Sequence, residues 1–265
     1  MTQPTWLIES GVYGSEIEPL VAAVRCQGMG CRFVTYREIV KGPAPLPPGS
    51  CAIVYGTYPT VRHAMLKLGW APGGWCSPEN LDCAAYYPHF GSYLLNQKHE
   101  VLTGTQAIRE KERLFQTFGS TGRVFARPTS AHKLFVGRLI AEADFEPALA
   151  PTRYDPETQV LVAEPRAIGR EWRLVVAGAA VLAASQYAER GAKAVAAGCP
   201  GEVTAFAREL LRAVNWRPDD LFMLDVCESE GALKLVELNS FSCSWLYACD
   251  PEAVVEGASR LVTVP

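Results

Sequence analysis

Two carboxylates and one carboxamide lie close together near the C-terminal end of the chain. Asp225 falls in the apolar stretch 222–227, and Glu237 and Asn239 stand at the end of the apolar stretch 233–238. Side chains alternate between the two faces of a strand, so Glu237 and Asn239 share a face, and in a hairpin Asp225 can lie opposite them. Such oxygen ligands suit Mg²⁺, which commonly bridges a carboxylate to substrate phosphates. The residues alone leave two interpretations open, a magnesium site or a hairpin whose polar side chains face solvent.

A lysine marks a second place where phosphate chemistry could occur. Residues 124–128 predict a strand that ends at a proline, residues 129–133 predict a short polar loop, and the apolar pattern resumes at 134–137. Such a loop could fold over phosphates with Lys133 as a point charge. It is not a P-loop, because the Gly-x-x-x-x-Gly-Lys-Ser/Thr spacing is absent. The local pattern favours a surface hairpin with an exposed lysine, and His132 beside it is interpreted as a loop residue rather than a general base.

The composition excludes several classes of function. The chain has 265 residues, enough to bury a large core, and its 49% hydrophobic and 20% charged residues are ordinary for a soluble globular protein. A formal net charge of −3 gives no reason to expect a nucleic-acid partner, because a phosphate backbone calls for a basic surface. No apolar run approaches the ~20 residues that span a bilayer, and the first residues lack a signal-peptide pattern. We therefore expect a cytoplasmic protein without a membrane partner.

Nine cysteines are scattered along the chain, with no C-x-x-C pair among them. A zinc site normally shows close ligand pairs, and a secreted disulfide scaffold is usually short. We therefore interpret the cysteines as free thiols in a reducing cytosol.

The N-terminal part of the chain predicts a small α/β unit. The order of elements favours some parallel pairing, with strands at 6–9, 31–36 and 51–55 and helices at 17–25 and 60–68. Residues 70–89 have no clear period, and a long irregular stretch of this kind is either a functional loop or a wrongly assigned element. Its aromatic end, 86–90, is interpreted mainly as buried packing.

The rest of the chain predicts helices alternating with hairpins. Residues 105–118 predict one helix, with Thr103 or Thr105 as its N-cap. Further strands are expected at 159–163, 171–176 and 181–187, followed by a small, flexible segment at 188–201. Helices are expected at 202–214 and 251–262, and a loop rich in Ser, Cys and aromatic residues at 240–250.

Taken in order, these features resemble the ATP-grasp superfamily, from roughly Lys98 to the C-terminus. The ordered set is a lysine, a lysine in a β-loop, a strand ending in an acid, a further acid, and then Asp followed by Glu-x-Asn. The resemblance implies an α+β fold in which two α+β subdomains clasp ATP, preceded by a small α/β N-terminal domain. It divides the chain at 1–95, 96–160 and 161–265. It also implies ATP and Mg²⁺ as cofactors, with Mn²⁺ able to replace Mg²⁺.

The same resemblance implies a role for each charged residue. In D-alanine–D-alanine ligases and their relatives, one glutamate lies near the adenine amino group and another, seven residues later, binds the ribose hydroxyls; Glu164 and Glu171 have this spacing. The motifs Phe-Ala-Arg-Pro-x-x-x-x-Lys-x-Phe-x-Gly and Glu-Trp-Arg are similar to those of a short, poorly characterised ATP-grasp clade of bacteria and phages. Phosphate contacts are implied for Lys98, Lys133, Lys193, Arg127 and Arg173, of which Arg127, Arg173 and Lys193 are the implied catalytic residues. Mg²⁺ would be bound by Asp225, Glu237 and Asn239.

The resemblance implies an ADP-forming carboxylate–amine ligase that makes an amide or peptide bond through an acyl phosphate. Its substrate would be an amino acid, a small peptide or a peptide tail, and residues 70–89 and 240–250 would line the site for it. A kinase or other phosphotransferase on the same fold stays open. So does a nucleotide-binding module without chemistry, although the metal-ligand set argues against it. Dimers are common among ATP-grasp ligases, so a homodimer is also open.

Overall fold

The computed structural model of the protein describes residues 3–132, 134–155 and 157–262. Three β-sheets follow one another along the chain, the first parallel and the other two antiparallel. The predicted α+β class, with an α/β unit at the N-terminus, is confirmed. In the part of the chain that is described, no helix is long and apolar enough to cross a membrane.

The N-terminal unit is a four-stranded parallel sheet in the spatial order β2-β1-β3-β4. Its strands are β1 (Thr5–Glu9), β2 (Gly30–Val34), β3 (Cys51–Tyr55) and β4 (Ala71–Gly73). Its helices are α1 (Glu18–Cys26), α2 (Tyr36–Val40), α3 (Tyr58–Lys67) and α4 (Cys83–Phe90). Because β1 and β3 are adjacent and parallel, the segments that follow them meet at one edge of the sheet. Gly56, directly after β3, donates its N–H to the carbonyl oxygen of Ser242 at 2.9 Å, so this edge contacts the C-terminal part of the chain.

The second sheet is antiparallel, in the order β5-β8-β6-β7. Its strands are β5 (His99–Thr103), β6 (Arg123–Pro128), β7 (Arg138–Ala141) and β8 (Gln159–Ala163). Its helices are α5 (Gly104–Arg109), α6 (Lys111–Phe118) and α7 (Phe145–Leu149). Thr103 is the N-cap of α5 and forms a capping box with Gln106, which satisfies amide groups that the first helical turn leaves unpaired.

The third sheet is antiparallel, in the order β11-β10-β9-β12-β13. Its strands are β9 (Arg170–Ala177), β10 (Ala180–Glu189), β11 (Ala192–Ala197), β12 (Leu221–Ser229) and β13 (Ala232–Ser240), and its helices are α8 (Gly201–Ala213) and α9 (Pro251–Val262). The turn between β12 and β13 consists of Glu230 and Gly231, with φ of 52° and 78°. Positive φ at both turn residues matches the twist of a two-stranded hairpin. The hairpin predicted around the carboxylates is confirmed.

The third sheet lies between two apolar cores. One face, which includes Val175 and Met223, packs with residues of β1, β3, α1 and α9. The other face, which includes Trp172 and Leu224, packs with residues of α4, α8 and the end of β8. Each unit therefore removes its apolar surface from water partly by contact with another unit. The predicted domain boundaries stay a prediction, and the division at residue 160 falls within β8.

Residues 70–89 are not one irregular loop, because they contain β4 and most of α4. The Asp82 side chain caps α4 by accepting a hydrogen bond from the Ala84 N–H at 2.8 Å. Pro88 lies inside this helix, and an internal proline normally argues against a helix, which explains why the sequence pattern conceals it. The expected burial of the aromatic segment is confirmed for Tyr86, Tyr87 and Phe90.

Three further segments differ from the prediction. Residues 105–118 form two helices, because Glu110 leaves helical geometry at φ −98° and ψ 16°. The strand expected at 134–137 begins later, as β7. Residues 188–201 contain β11 rather than a wholly flexible segment, because Arg190 and Gly191 form a two-residue turn with φ of 49° and 78°.

Gly104, the first residue of α5, permits a close approach that a larger side chain would prevent. A Cβ atom at this position would lie 2.0 Å from Oγ1 and 2.4 Å from Cβ of Thr152. Thr152 is only 1% exposed, and rotation about its Cα–Cβ bond cannot move Cβ away. We expect Gly104→Ala to lower the free energy of unfolding by about 2 kcal/mol, the typical cost of overpacking a core.

Urea unfolding of Gly104→Ala and Gly201→Ala measures this effect. Gly201 opens α8 and has nothing within 4 Å of the position of its Cβ, so its substitution is expected to be neutral or slightly stabilising. Equal unfolding midpoints for the two variants would contradict the close packing of α5.

Candidate active site

Neighbouring strands place polar side chains in one row across the third sheet. Ser185 of β10 is paired in register with Arg173 of β9, Arg173 with Asp225 of β12, and Asp225 with Glu237 of β13. Residues paired in this way project from the same face of the sheet. The expectation that Asp225 lies opposite Glu237 is confirmed, and strand register explains how residues distant in sequence converge.

Arg173 and Asp225 form a buried, bidentate ion pair. Arg173 Nε donates to Oδ1 of Asp225 at 2.9 Å, and Nη2 donates to Oδ2 at 2.7 Å. The two side chains are 8% and 1% exposed. Burial lowers the pKa of Arg173, but the Asp225 carboxylate more than offsets this effect and raises the pKa above its usual value. Each charge is therefore tolerated in the interior because the other is present.

Asn239 joins the two carboxylates, and Arg127 balances the second one. Asn239 Nδ2 donates to Asp225 Oδ2 at 3.0 Å and to Glu237 Oε1 at 2.9 Å. Arg127 comes from β6 in the second sheet, and its Nη1 lies 3.0 Å from Glu237 Oε2. Burial lowers the pKa of Arg127, and Glu237 raises it above its usual value. These five residues, Arg127, Arg173, Asp225, Glu237 and Asn239, are called the arginine–carboxylate cluster.

The donor atoms of the arginine–carboxylate cluster fit Mg²⁺. Two carboxylates and one amide offer oxygen ligands, and Mg²⁺ is usually bound by one or two carboxylates together with substrate phosphates. Asn239 makes both of its hydrogen bonds through nitrogen, so its oxygen is the atom that a cation would bind. Among the described residues, no group of three or more His, Cys, Asp or Glu side chains could hold a metal ion. A metal at this cluster would therefore rely on Asp225, Glu237, the amide and the phosphates.

Two cavities meet at Glu237 and Tyr187. The first cavity, of about 590 Å³, lies between the second and third sheets and is mostly apolar, with Phe125, Leu139 and Ile168 in its wall. The second cavity, of about 540 Å³, lies between the N-terminal unit and the loop 241–250. Arg127 lines the first cavity, and Arg173, Asp225 and Asn239 line the second. The arginine–carboxylate cluster thus forms part of the wall between them.

Two stacked tyrosine rings pack against Arg173. The centroids of Tyr187 and Tyr247 are 5.3 Å apart with an interplanar angle of 14°, and Arg173 Cζ lies 5.8 Å and 5.3 Å from them. Tyr247 has a positive φ of 52°, which is strained for a bulky residue and is held here by these contacts. The Tyr187 O–H donates to Glu171 Oε2 at 2.8 Å. Tyr187 therefore links a glutamate of the first cavity to the arginine of the second.

The structure brings Glu171 to the site but separates Glu164 from it. Glu171 lines the first cavity, and burial raises the pKa of its carboxyl group, although the bond from Tyr187 lowers it in part. Glu164 directly follows β8, and its carboxylate lies 3.2 Å from Arg166 Nη2. Arg166 lines the first cavity, whereas Glu164 is not among the described residues of its wall.

The predicted lysines lie away from the arginine–carboxylate cluster where the structure describes them. Lys98 is exposed just before β5 and is not among the described residues that line the first cavity. Lys193 lies in β11 rather than in a flexible loop, and its Nζ is 3.6 Å from Glu16 Oε1. It lines a third cavity, of about 400 Å³, together with Glu171 and Tyr247. Lys133 lies outside the described residues.

Several residues of the site were not singled out from the sequence. Tyr187 follows Ser185 by two positions in β10, so strand alternation places both on one face. Tyr13 and Thr57 line the second cavity from the segments after β1 and β3. The carboxyl ends of neighbouring parallel strands are a usual place for ligand sites, and this was an available signal. Of the segments expected to line the substrate site, 70–89 contributes Cys76 and Leu81, and 240–250 contributes Ser240, Cys243, Ser244, Trp245 and Tyr247.

Comparisons with known proteins agree with this architecture. A family model described as an ATP-grasp domain, the third family of its clade, matches residues 27–257. A search of curated protein sequences finds no match.

Several solved structures share the fold at low sequence identity. D-cycloserine synthetase DcsG is 12% identical with a TM-score of 0.69, and the match covers 98% of this chain and 100% of that one. The ATP-grasp ligase PsnB complexed with a minimal precursor is 12% identical with a TM-score of 0.64, covering 99% and 100% of the two chains. PsnB complexed with minimal precursor, Mg and ADP is 12% identical with a TM-score of 0.56 and 90% coverage of each chain. Likenesses at this identity show the fold alone, and the predicted ATP-grasp fold is confirmed.

We expect Asp225→Asn to lower the free energy of unfolding by about 3 kcal/mol, because it leaves the Arg173 guanidinium buried without a counter-charge. Glu228→Gln is the matched control. Glu228 pairs with Arg170 on the same two strands, three residues along each from Asp225 and Arg173, but these side chains are 35% and 38% exposed. Its substitution should cost much less, because exposed ion pairs are largely screened by solvent.

Chemical denaturation of both variants measures the difference. Similar losses of stability from Asp225→Asn and Glu228→Gln would show that the buried pair has no special dependence on its charge balance.

Proposed function

This chain belongs to the ATP-grasp domain family whose model it matches over residues 27–257, and on that premise we propose that it is an ATP-dependent, ADP-forming carboxylate–amine ligase. The proposed reaction has two steps. A substrate carboxylate attacks the γ-phosphate of ATP to give an acyl phosphate and ADP. An amine then displaces phosphate and forms an amide or peptide bond. The scheme needs no protein nucleophile, so positioning and electrostatic stabilisation would carry the catalysis.

The position of Glu237 between two cavities is the observation that carries the proposal. Its side chain lines the first cavity and the second, and it is paired with Arg127 on one side and bonded to Asn239 on the other. A nucleotide in the first cavity and a carboxylate in the second would approach the same point from opposite directions. Transfer between two bound substrates requires such an arrangement, because the reacting atoms must come within about 3–3.5 Å of each other.

The first cavity is the proposed nucleotide site. Its apolar wall suits a purine base, and Glu171, held by Tyr187, is proposed to bind the ribose hydroxyls. Arg127 is proposed to contact phosphate from the β6 side. Lys133, which follows the same strand, keeps its proposed phosphate contact.

The arginine–carboxylate cluster is the proposed catalytic centre. Asp225, Glu237 and Asn239 are proposed to hold Mg²⁺, which when bound would neutralise charge on the phosphates. Arg173 keeps the Asp225 carboxylate in one orientation through two hydrogen bonds and adds positive charge beside it. Positive charge at this point would stabilise the oxygens of a phosphoryl group during transfer.

The second cavity is the proposed site for the carboxylate and amine substrates. Its volume of about 540 Å³ falls in the ordinary range for sites that bind small molecules. PsnB, which shares the fold, was crystallised with a minimal precursor and with a precursor peptide. By this analogy we propose an amino acid or peptide as the substrate. A reaction that consumes ATP also agrees with a cytoplasmic setting.

We expect Glu237→Gln to reduce ADP release by about 100-fold or more, the usual cost of removing one group that stabilises transition-state charge. The assay incubates the protein with ATP, Mg²⁺, an amino-acid mixture and hydroxylamine. Wild type should release ADP and form a hydroxamate, because hydroxylamine attacks an acyl phosphate and expels phosphate. Glu228→Gln, which changes an exposed carboxylate of the same sheet, should keep wild-type turnover.

Two results would contradict the ligase. Release of AMP and pyrophosphate would exclude the acyl phosphate. A phosphorylated product that is stable to hydroxylamine would indicate a kinase instead. Wild-type turnover in Glu237→Gln would remove Glu237 from the proposed catalytic centre.

A further inference from the structure

Two cysteine side chains contact each other in the wall of the second cavity. Cys76 follows β4 and Cys243 follows β13, and their sulfur atoms are 3.6 Å apart. Both line the second cavity, and neither lines the first. Cys76 is only 2% exposed, so a reagent must reach it through the cavity. The proposed ligase reaction uses neither thiol.

Hydrogen bonds hold the two cysteine-bearing segments together. Trp75 N–H donates to Ser242 Oγ at 3.0 Å, and Ser240 Oγ donates to the Trp75 carbonyl oxygen at 2.9 Å. The Cys243 N–H donates to the same Ser240 Oγ at 3.1 Å. A disulfide needs its sulfur atoms about 2.05 Å apart, and the present separation is longer by an amount that side-chain rotation can remove. The backbone bonds fix the two segments beside each other, so bond formation requires no large rearrangement.

The electrostatic setting supports reaction at Cys76. The Cys243 thiol donates a hydrogen bond to the Cys76 sulfur, and this bond lowers the pKa of Cys76 below its usual value. The thiolate is the nucleophile in thiol–disulfide exchange, so a lowered pKa favours Cys76 as the attacking group.

We propose that Cys76 and Cys243 form a reversible thiol–disulfide site that is oxidised by a low-molecular-weight disulfide entering the second cavity. The Cys76 thiolate attacks one sulfur of the external disulfide, forms a mixed disulfide and releases one external thiolate. Cys243 sulfur then attacks Cys76 sulfur and releases the second external thiolate. The two protein thiols are oxidised, the external disulfide is reduced to two thiols, and the two protons from the protein thiols end on the released thiols.

The disulfide would act on the second cavity and leave the first unchanged. It would tie the segment after β4 to the segment after β13, which begins one residue after Asn239. Resting on the proposed function, oxidation should therefore reduce ligase turnover without changing the affinity for Mg²⁺ and a non-hydrolysable ATP analogue.

Peptide mapping tests the site directly. The reduced full-length protein is incubated with 2-hydroxyethyl disulfide, free thiols are alkylated, and the digest is analysed by mass spectrometry. We expect a peptide pair linked through Cys76 and Cys243 that disappears after treatment with dithiothreitol. Cys26 is an exposed thiol on α1, so Cys26→Ser should leave the linked pair unchanged. Cys243→Ser should abolish it, and Cys243→Ala replaces that variant if it fails to fold.

Alkylation of both Cys76 and Cys243 in the oxidised sample would overturn the proposal, and so would linkage of either one to a different cysteine. Full turnover in protein that carries the mapped disulfide would contradict the effect on the second cavity. If the reduced wild type shows no ligase turnover, the proposed function fails, whereas the mapping still decides the thiol–disulfide site.

Discussion

Burial of charge is the constraint on which the rest of this structure depends. Asp225 is 1% exposed and has two oxygen atoms bonded to Arg173, so neither side chain could occupy the interior alone. The pair forms only if β9 and β12 are adjacent and in the observed register. Glu237 extends the same requirement to β13, and its partner Arg127 extends it to the second sheet. A single network of charges therefore determines the register of three strands and the approach of another sheet.

The same network organises the loop that follows β13. Arg173 Nη1 donates to the carbonyl oxygen of Trp245 at 3.0 Å, and Ser185 Oγ accepts a bond from the Ala248 N–H at 3.1 Å. Gly56 of the N-terminal unit bonds to Ser242 from the opposite side. The wall of the second cavity is thus built from loops, but these loops are held by strands that carry the charged residues. A change in the cluster is transmitted to the second cavity through short, direct contacts.

Much of the fold and the centre of the site followed from the sequence, because both depend on strand alternation and on apolar runs that are local properties. Asp225 and Glu237 were correctly expected to face each other. What the sequence could not indicate was how those carboxylates are balanced, since the contact between Arg127 and Glu237 joins two different sheets. The strand that contains Lys193 was missed because its signal is the positive φ of Arg190 and not hydrophobicity. The roles of the individual site residues stay predictions.

The central claim is that the arginine–carboxylate cluster separates a nucleotide site from a substrate site. A crystal structure of the protein with Mg²⁺ and a non-hydrolysable ATP analogue tests it most directly. The account predicts the base and ribose in the first cavity beside Glu171, the metal on Asp225, Glu237 and Asn239, and a second cavity that remains open next to the γ-phosphate. A nucleotide bound in the second cavity, or a metal bound away from these three residues, would contradict it.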